Sequence, residues 1–185
     1  MKVYPTGLPE IRLIEPKVFT DPRGSFSEVW VSKTYRELGI VGDFVQDNYS
    51  RSIQSTLRGL HFQEPNPQGK LLTVLHGRIF DVVVDIRSGS PRFGQHAAIE
   101  IAADGARQLW VPPGFAHGFC VLSDFADCVY KCTAGYDPDA EHAIRWDDPD
   151  LAIDWPLNTP ILSERDSLAP RLADAPVLPR MSGPP

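Results

Sequence analysis

This sequence has few cysteines, no long apolar run and no excess of basic residues, and each of these features excludes a class of protein. Only three cysteines occur among 185 residues, with no CxxC pair, so neither a disulfide framework nor a zinc knuckle is expected. No apolar run approaches the roughly 20 residues of a membrane-spanning helix, and the N-terminus lacks the apolar segment of a signal peptide. We therefore expect a cytoplasmic protein without a membrane partner.

Acidic side chains outnumber basic ones by 24 to 18, which gives a net charge of −6. This balance argues against a broad nucleic-acid surface, which needs clustered lysine and arginine, so we expect no nucleic-acid partner. A small anionic substrate needs only a local group of basic residues, and this class remains open. Hydrophobic residues make up 42% of the chain and charged residues 23%, the usage of an ordinary folded domain.

Strong helical signals are equally rare. The 18 prolines and 14 glycines interrupt short apolar segments, a pattern that favours β-structure. The predicted strands are Ile11–Val18, Gly24–Val31, Phe44–Ser50, Leu57–Gln63, Lys70–Leu75, Arg78–Ile86, His96–Ile101, Gln108–Val111, His117–Leu122 and Val129–Thr133. Many short strands separated by turns predict a sandwich or a barrel. Residues 82–85, VVVD, are expected to be buried on both faces of their sheet.

One short helix and a tail complete the predicted organisation. The helix is expected over residues 32–39, with Ser32 as its N-cap and Gly39 at its end. Residues 173–185 are rich in proline and small side chains, which is typical of an extended or mobile terminus. We therefore expect a single domain over residues 1–172, followed by this proline-rich tail.

Two histidines lie on predicted strands, and each by itself could be a hydrogen-bonded structural residue. His117 follows a turn in the pattern Pro-x-Gly-x-x-His, which is the second motif of cupin barrels. A metal-binding cupin also needs a His-x-His pair in its first motif, but glutamine, Gln63, follows His61 at the position of the second histidine. In a regular strand Arg58 faces away from His61, whereas a bulge at Gly59 would bring the two together. These residues predict a cupin-like barrel without a metal.

Seven segments, in order along the chain, resemble the successive signatures of the dTDP-4-dehydrorhamnose 3,5-epimerase family. They are Asp21–Glu28, Gln46–Ser50, Leu57–Gln63, Gln68–Leu71, Pro113–Phe119, Trp146–Pro149 and Ser163–Asp166. The resemblance implies a mainly β fold, a cupin-like antiparallel β-barrel (jelly roll) with a few short helices. It also implies a homodimer that needs neither metal nor cofactor and that acts in deoxysugar synthesis.

The resemblance gives catalytic roles to four residues. A keto sugar has acidified C–H bonds beside its carbonyl, so inversion needs a base, an acid on the opposite face and a cation near the enolate oxygen. His61 is the implied base, Asp166 orients it, Lys70 stabilises the enolate and Tyr130 is the acid. Two alternatives stay open from the residues alone. Tyr130 could merely pack in its strand, and Asp166 could cap a helix through a backbone amide.

The remaining family positions imply binding of the sugar nucleotide. Arginines suit a diphosphate, amides supply further hydrogen bonds, and an aromatic ring can stack on the thymine base. The expected substrate-binding residues are Arg23, Phe26, Glu28, Gln46, Asn48, Arg58, His117, Tyr136, Glu141 and Arg165. In the family, the segment with Arg23 and Glu28 reaches into the neighbouring subunit's site. This chain departs from the family at Gly135, where a tyrosine is usual.

The expected substrate is a dTDP-4-keto-6-deoxyhexose, and the leading hypothesis is cofactor-independent inversion at C3 and C5 of dTDP-4-dehydro-6-deoxy-D-glucose, giving dTDP-4-dehydro-L-rhamnose. A mono-epimerase acting on a related dTDP-4-keto-deoxysugar is the nearest alternative. A metal-dependent cupin oxygenase is disfavoured because His61 and His117 lack a third ligand. A non-catalytic sugar-nucleotide binding module is disfavoured because base, acid and lysine occur together.

Overall fold

The computed structural model describes residues 1–181, and antiparallel strands dominate them. The strands are β1 (Lys2–Tyr4), β2 (Arg12–Glu15), β3 (Val18–Asp21), β4 (Gly24–Ser27), β5 (Gln46–Ile53), β6 (Leu57–Gln63), β7 (Lys70–His76), β8 (Arg78–Asp85), β9 (His96–Ala102), β10 (Gln108–Val111), β11 (Phe115–Val121), β12 (Phe125–Cys132) and β13 (Glu141–Ala143). The helices are α1 (Ser32–Glu37) and α2 (Glu164–Ser167), with 3₁₀ turns at Ala103–Gly105 and Leu172–Asp174. Within this part of the chain no helix has the length and apolar character of a membrane crossing.

The strands form two packed sheets and one separate hairpin. The six-stranded sheet has the order β1-β2-β10-β7-β12-β5, the five-stranded sheet has the order β13-β6-β11-β8-β9, and β3 pairs only with β4. Leu72 and Leu109 of the first sheet meet Val83 and Phe119 of the second in one apolar cluster. Because alternate side chains of a strand point to opposite faces, each strand contributes its inward set to this core.

Strand β8 is buried on both sides, as the VVVD segment predicted. Val83 points into the core between the sheets, whereas Val82 and Val84 point outward. Their outer face is covered by the segment that follows β13, with Leu151 and Trp155 in the same cluster. Burying each such side chain stabilises the fold by about 1.5–3 kcal/mol, so the C-terminal segment is part of the domain.

Several predicted elements are wrong at their ends; the strand predicted over Gly24–Val31, for example, ends at Ser27. The predicted strand Ile11–Val18 is divided into β2 and β3, since Pro16 has no N–H with which to continue a ladder. The N-cap of α1 is Val31 rather than Ser32, and no side chain caps the helix. Tyr35 on this helix is buried, and its ring packs against Trp30. Gly39 follows the helix at a φ of +76°, as predicted for its end.

The described part of the tail is extended and bound to the barrel. The Ser88 N–H donates to the Pro179 carbonyl at 2.7 Å, and the Met181 N–H donates to the Ser88 carbonyl at 3.0 Å. Leu172 is buried in the outer cluster beside Trp155. The rest of the predicted tail, residues 182–185, lies outside the described residues, and the domain boundary at residue 172 stays a prediction.

Candidate active site

A bulge in β6 turns Arg58 and His61 toward the same cavity. Between the pairs His117↔His61 and Phe119↔Arg58, β6 has one residue more than β11. The bulge requires glycine, because Gly59 has a φ of +125° and a Cβ there would lie 2.5 Å from the Gly118 Cα. The cavity has a volume of about 280 Å³, and its lining residues include Arg58, His61, Glu141, Ser163, Arg165 and Asp166. The sequence-based alternative of a bulge at Gly59 is therefore confirmed.

The helix α2 brings Asp166 to His61. Asp166 is 3% exposed, and its Oδ1 lies 2.6 Å from His61 Nε2. Burial opposes ionisation of Asp166, but hydrogen bonds from His61 and the Gly59 N–H outweigh it and hold its pKa below the ordinary value. The ionised carboxylate accepts a hydrogen bond from the Nε2–H of His61, and this contact fixes the orientation of the imidazole ring.

The helix cap, which was the alternative role for the Asp166 side chain, is formed by the side chain of Ser163. Ser163 is the N-cap of α2, and its Oγ accepts the backbone N–H of Asp166 at 3.1 Å. The carboxylate itself is directed at His61, with a longer contact of 3.5 Å from the Gly59 N–H. Capping and orientation of the histidine therefore coexist in this one turn of helix.

Lys70 and Tyr130 lie on neighbouring strands of the six-stranded sheet. Lys70 is paired in register with Cys132, and Tyr130 with Leu72. Burial lowers the pKa of Lys70, and no acidic side chain among residues 1–181 lies within ion-pair distance of its ammonium group. Burial raises the pKa of the Tyr130 phenol, which therefore stays protonated. Lys70 and Tyr130 thus lie on the sheet opposite the one that holds His61, and neither residue lines the cavity.

A chain of hydrogen bonds links five of the predicted binding residues. Gln46 Nε2 donates to Asn48 Oδ1 at 2.9 Å, and Gln46 Oε1 accepts the Tyr136 N–H at 2.8 Å. The Tyr136 hydroxyl donates to Glu141 Oε2 at 2.8 Å. Arg165 forms an ion pair with Glu141 and donates to its carbonyl at 2.7 Å. The hydrogen bonds link β5 to α2, and two of the five residues, Glu141 and Arg165, line the cavity.

His117 lies beside His61 in register, but its ring is turned into the barrel. His117 Nε2 lies 2.9 Å from both carboxylate oxygens of Asp81, and the two side chains are 7% and 0% exposed. Sequence reasoning missed Asp81, although an acidic residue at an inward position of an apolar strand was the available signal. It also missed Ser52, whose Oγ accepts Arg58 Nε at 2.9 Å and fixes the guanidinium.

Three of the predicted binding residues that do not line this cavity lie on or beside the β3–β4 hairpin. Arg23, Phe26 and Glu28 belong to the β3–β4 hairpin and the residue after it, and all three are exposed. Arg23 forms an ion pair with Asp21 at 2.6 Å, and Phe26 is 66% exposed. The hairpin therefore carries an apolar and a cationic group outside the barrel that bears His61.

Residues 1–181 contain no group of three or more histidine, cysteine, aspartate or glutamate side chains placed to hold a metal ion.

These elements define a class of protein: a cupin-type β-barrel with a partly buried histidine–aspartate pair, arginines around it, and a lysine and a tyrosine on the opposite sheet. Such a set suits proton abstraction from an anionic substrate. The family model described as dTDP-4-dehydrorhamnose 3,5-epimerase matches residues 5–174. The chain belongs to this family, and the resemblance drawn from its motifs is confirmed.

Known relatives support the same assignment. The dTDP-4-dehydrorhamnose 3,5-epimerase of Shigella flexneri is 47% identical over 177 residues, which are 95% of this chain and 98% of that protein. The protein of the same name from Neisseria gonorrhoeae is 49% identical over 90% of this chain, which spans only 51% of that relative. The dTDP-4-dehydrorhamnose 3-epimerase of Streptomyces niveus is 39% identical over 95% of this chain and 86% of its own length.

A solved structure shares the fold closely. The dTDP-6-deoxy-D-glucose-3,5-epimerase of Legionella pneumophila, crystallised with dTDP-4-keto-L-rhamnose, has a TM-score of 0.94 at 50% identity. The similarity covers 98% of this chain and 99% of that chain. The predicted mainly β, cupin-like barrel is confirmed.

Proposed function

We propose that this protein is an isomerase that inverts C3 and C5 of dTDP-4-dehydro-6-deoxy-D-glucose and forms dTDP-4-dehydro-L-rhamnose. The observation that carries the proposal is the 2.6 Å contact between His61 Nε2 and Asp166 Oδ1 in a cavity lined by Arg58 and Arg165. It supplies a base and two cations, which are the groups that proton abstraction from a nucleotide-bound keto sugar requires. Membership of the epimerase family supports the same reaction.

In the proposed mechanism His61 Nδ1 removes a proton from the carbon next to the C4 ketone. The electron pair of the broken C–H bond forms the enolate, and the C4 oxygen takes the negative charge. Asp166 stabilises the imidazolium that results, and the Lys70 ammonium group stabilises the enolate oxygen. Tyr130 then gives a proton to the opposite face of the same carbon. His61 then releases its extra proton to solvent, and the Tyr130 phenolate takes one up from solvent, which restores both groups. A second round at the other carbon completes the reaction, with no net change in protons or electrons.

The groups around the cavity suit the nucleotide. Arg58 and Arg165 are each held by a neighbour, Ser52 and Glu141, so little side-chain entropy is lost when they bind the diphosphate. Tyr136 is 54% exposed, which leaves its ring free to stack on the base. The proposed substrate-binding residues around the nucleotide also include Gln46, Asn48, Glu141 and His117.

The proposed active form is a homodimer in the cytoplasm, with sites shared between subunits. Phe19 and Phe26 of the hairpin are 46% and 66% exposed, and their rings stand 6.4 Å apart on one side of it. An apolar surface of this kind on a projecting hairpin suits a partner chain. Arg23 and Glu28 would then act in the partner's site. The three cysteines are free and buried, which fits a reducing compartment.

Subunit complementation tests the shared site. Arg23→Ala and His61→Ala should each be inactive alone, whereas a co-expressed mixture contains heterodimers with one intact site. Random pairing should restore about a quarter of wild-type activity. No recovery, despite heterodimers detected by mass spectrometry of the intact complex, would show that Arg23 serves its own subunit.

Proton NMR of dTDP-4-dehydro-6-deoxy-D-glucose with the enzyme in deuterated water tests the reaction itself. We expect deuterium at both C3 and C5, together with the inverted product. Deuterium at C3 alone would establish the second candidate, a mono-epimerase, which the similarity to the Streptomyces niveus 3-epimerase favours. Deuterium at neither carbon would refute both.

A further inference from the structure

Gln63 is a buried side chain beside the site to which the proposed mechanism gives no role. It is 4% exposed, and its amide forms three hydrogen bonds to backbone groups. Nε2 donates to the Asn66 carbonyl at 2.7 Å and to the Gly135 carbonyl at 3.2 Å, while Oε1 accepts the Asp137 N–H at 3.0 Å. Two of the three bonds are to the residues on either side of Tyr136.

The loop that carries Tyr136 is therefore held from both sheets. Gln63, on β6 of the five-stranded sheet, binds the Gly135 carbonyl and the Asp137 N–H. Gln46, on β5 of the six-stranded sheet, binds the Tyr136 N–H between them. Three successive backbone groups are thus fixed by two glutamines that approach from different sheets.

These hydrogen bonds from Gln46 and Gln63 hold the backbone that positions the Tyr136 ring. The ring is 54% exposed, so packing alone does not hold it, and Gly135 before it has the greatest backbone freedom of any residue. A carboxamide is the side chain that donates to a carbonyl and accepts from an N–H at the same time. A glutamate at this position would lose the donors, and a methionine of similar length would lose all three bonds.

We propose that Gln63 is a positioning residue that presents Tyr136 to the nucleotide base of the substrate. The inference rests on the proposed function, because it takes Tyr136 as the group that stacks on the base. It predicts that Gln63 governs nucleotide affinity and not proton abstraction, since His61 is held by Asp166 from another element.

The test measures dTDP binding and turnover for Gln63→Met and Gln63→Glu. For Gln63→Met we expect the Kd for dTDP, measured by calorimetry, and the KM for the keto sugar each to rise about tenfold, while kcat changes less than about threefold. The reason is that two of the three lost hydrogen bonds, those to Gly135 and Asp137, hold the loop that carries Tyr136. Gln63→Glu should weaken dTDP at least as much, because it places a carboxylate against two carbonyl oxygens. A Kd within twofold of wild type in both variants would overturn the proposal.

A double-mutant cycle shows whether Gln63 acts through Tyr136. Tyr136→Ala should weaken dTDP by itself, and adding Gln63→Met should then change the Kd less than twofold. An unchanged tenfold effect in the Tyr136→Ala background would refute the proposal. Ile101→Ala is the control for general loosening, since this fully buried residue lies on β9, at the opposite edge of the sheet from β13. Weakened dTDP binding in that variant as well would assign the Gln63 effect to stability alone.

The wild-type protein separates this inference from the proposed function. If the wild type fails to bind dTDP, the nucleotide assignment is wrong, and Gln63 cannot present Tyr136 to it. If the wild type binds dTDP and converts the keto sugar while Gln63→Met does the same with an unchanged KM, only the inference about Gln63 is wrong.

Discussion

Replacing Tyr130 by phenylalanine removes one oxygen atom from the side chain and leaves the ring in place. The ring packs against the core cluster between the sheets, and the hydroxyl has no hydrogen-bond partner within residues 1–181. Phenylalanine keeps the apolar contact area, so the free energy of unfolding should fall by less than about 1 kcal/mol. The variant therefore isolates the chemistry of the hydroxyl from its packing.

The catalytic effect should be far larger than the effect on stability. Burial raises the pKa of the Tyr130 phenol, which keeps the proton available for delivery. A positioned general acid contributes about 10²–10⁴ to the rate, equivalent to roughly 2.7–5.5 kcal/mol of transition-state stabilisation. His61 is untouched and should still remove a proton and return a deuteron to the same face. Exchange with solvent should therefore persist while the inverted product fails to accumulate.

The assay follows both rates in deuterated water by proton NMR, with thermal unfolding as the check on folding. Loss of product by 10²-fold or more, with exchange reduced less than about tenfold, is the expected result. Equal losses of exchange and inversion, or no loss of either, would mean that Tyr130 packs in its strand and that another group is the acid.

Three further substitutions probe the remaining charges. Asp166→Asn removes the negative charge beside His61, so kcat should fall about ten- to a hundredfold, and an unchanged kcat would leave Asp166 a structural role only. Burial lowers the pKa of Lys70, so its ammonium group loses a proton as pH rises through that lowered pKa. Lys70→Arg should therefore move the alkaline limb of the kcat profile to higher pH, because arginine stays charged. Alkaline limbs at the same pH in wild type and variant would contradict the role given to Lys70. Hydrogen bonds from Arg51 lower the pKa of Asp127 from 3.8 to about 2, so its contribution to stability is complete above pH 3.8 and disappears as pH falls through about 2. In urea titrations Asp127→Asn should be less stable than wild type at pH 6, and the gap should close between pH 4 and 2; a gap that does not change with pH would refute this.

The sequence predicted those parts of the fold that depend on local pattern. Proline and glycine punctuation located most of the strands, and the run of valines in β8 predicted burial on both faces because no polar residue interrupts it. The failures also had local causes. Three residues are too few to reveal β1 by alternation, and the extended backbone of Val31 made it, rather than Ser32, the N-cap of α1.

The site was harder to predict, because its geometry depends on contacts between distant segments. His61 and Asp166 are 105 residues apart, and only the family resemblance paired them. His117 and Asp81 face each other because β11 and β8 are adjacent, a fact of topology that no single strand contains. The position of Arg58 could be predicted from local sequence, because Gly59 indicated the bulge that turns Arg58 toward His61.

The late position of Asp166 in the chain has a consequence for synthesis and for proteolysis. Among the described residues the last strand, β13, ends at Ala143, and α2 begins only at Glu164, so all these strands leave the ribosome before Asp166 does. Until α2 docks, Asp166 does not orient the ring of His61. A protease that cuts between β13 and Leu151 and releases the C-terminal piece would remove Asp166 together with Leu151 and Trp155, which cover the outer face of β8. One segment thus completes both the core and the site, so a single cut should cost the protein its stability and its activity together.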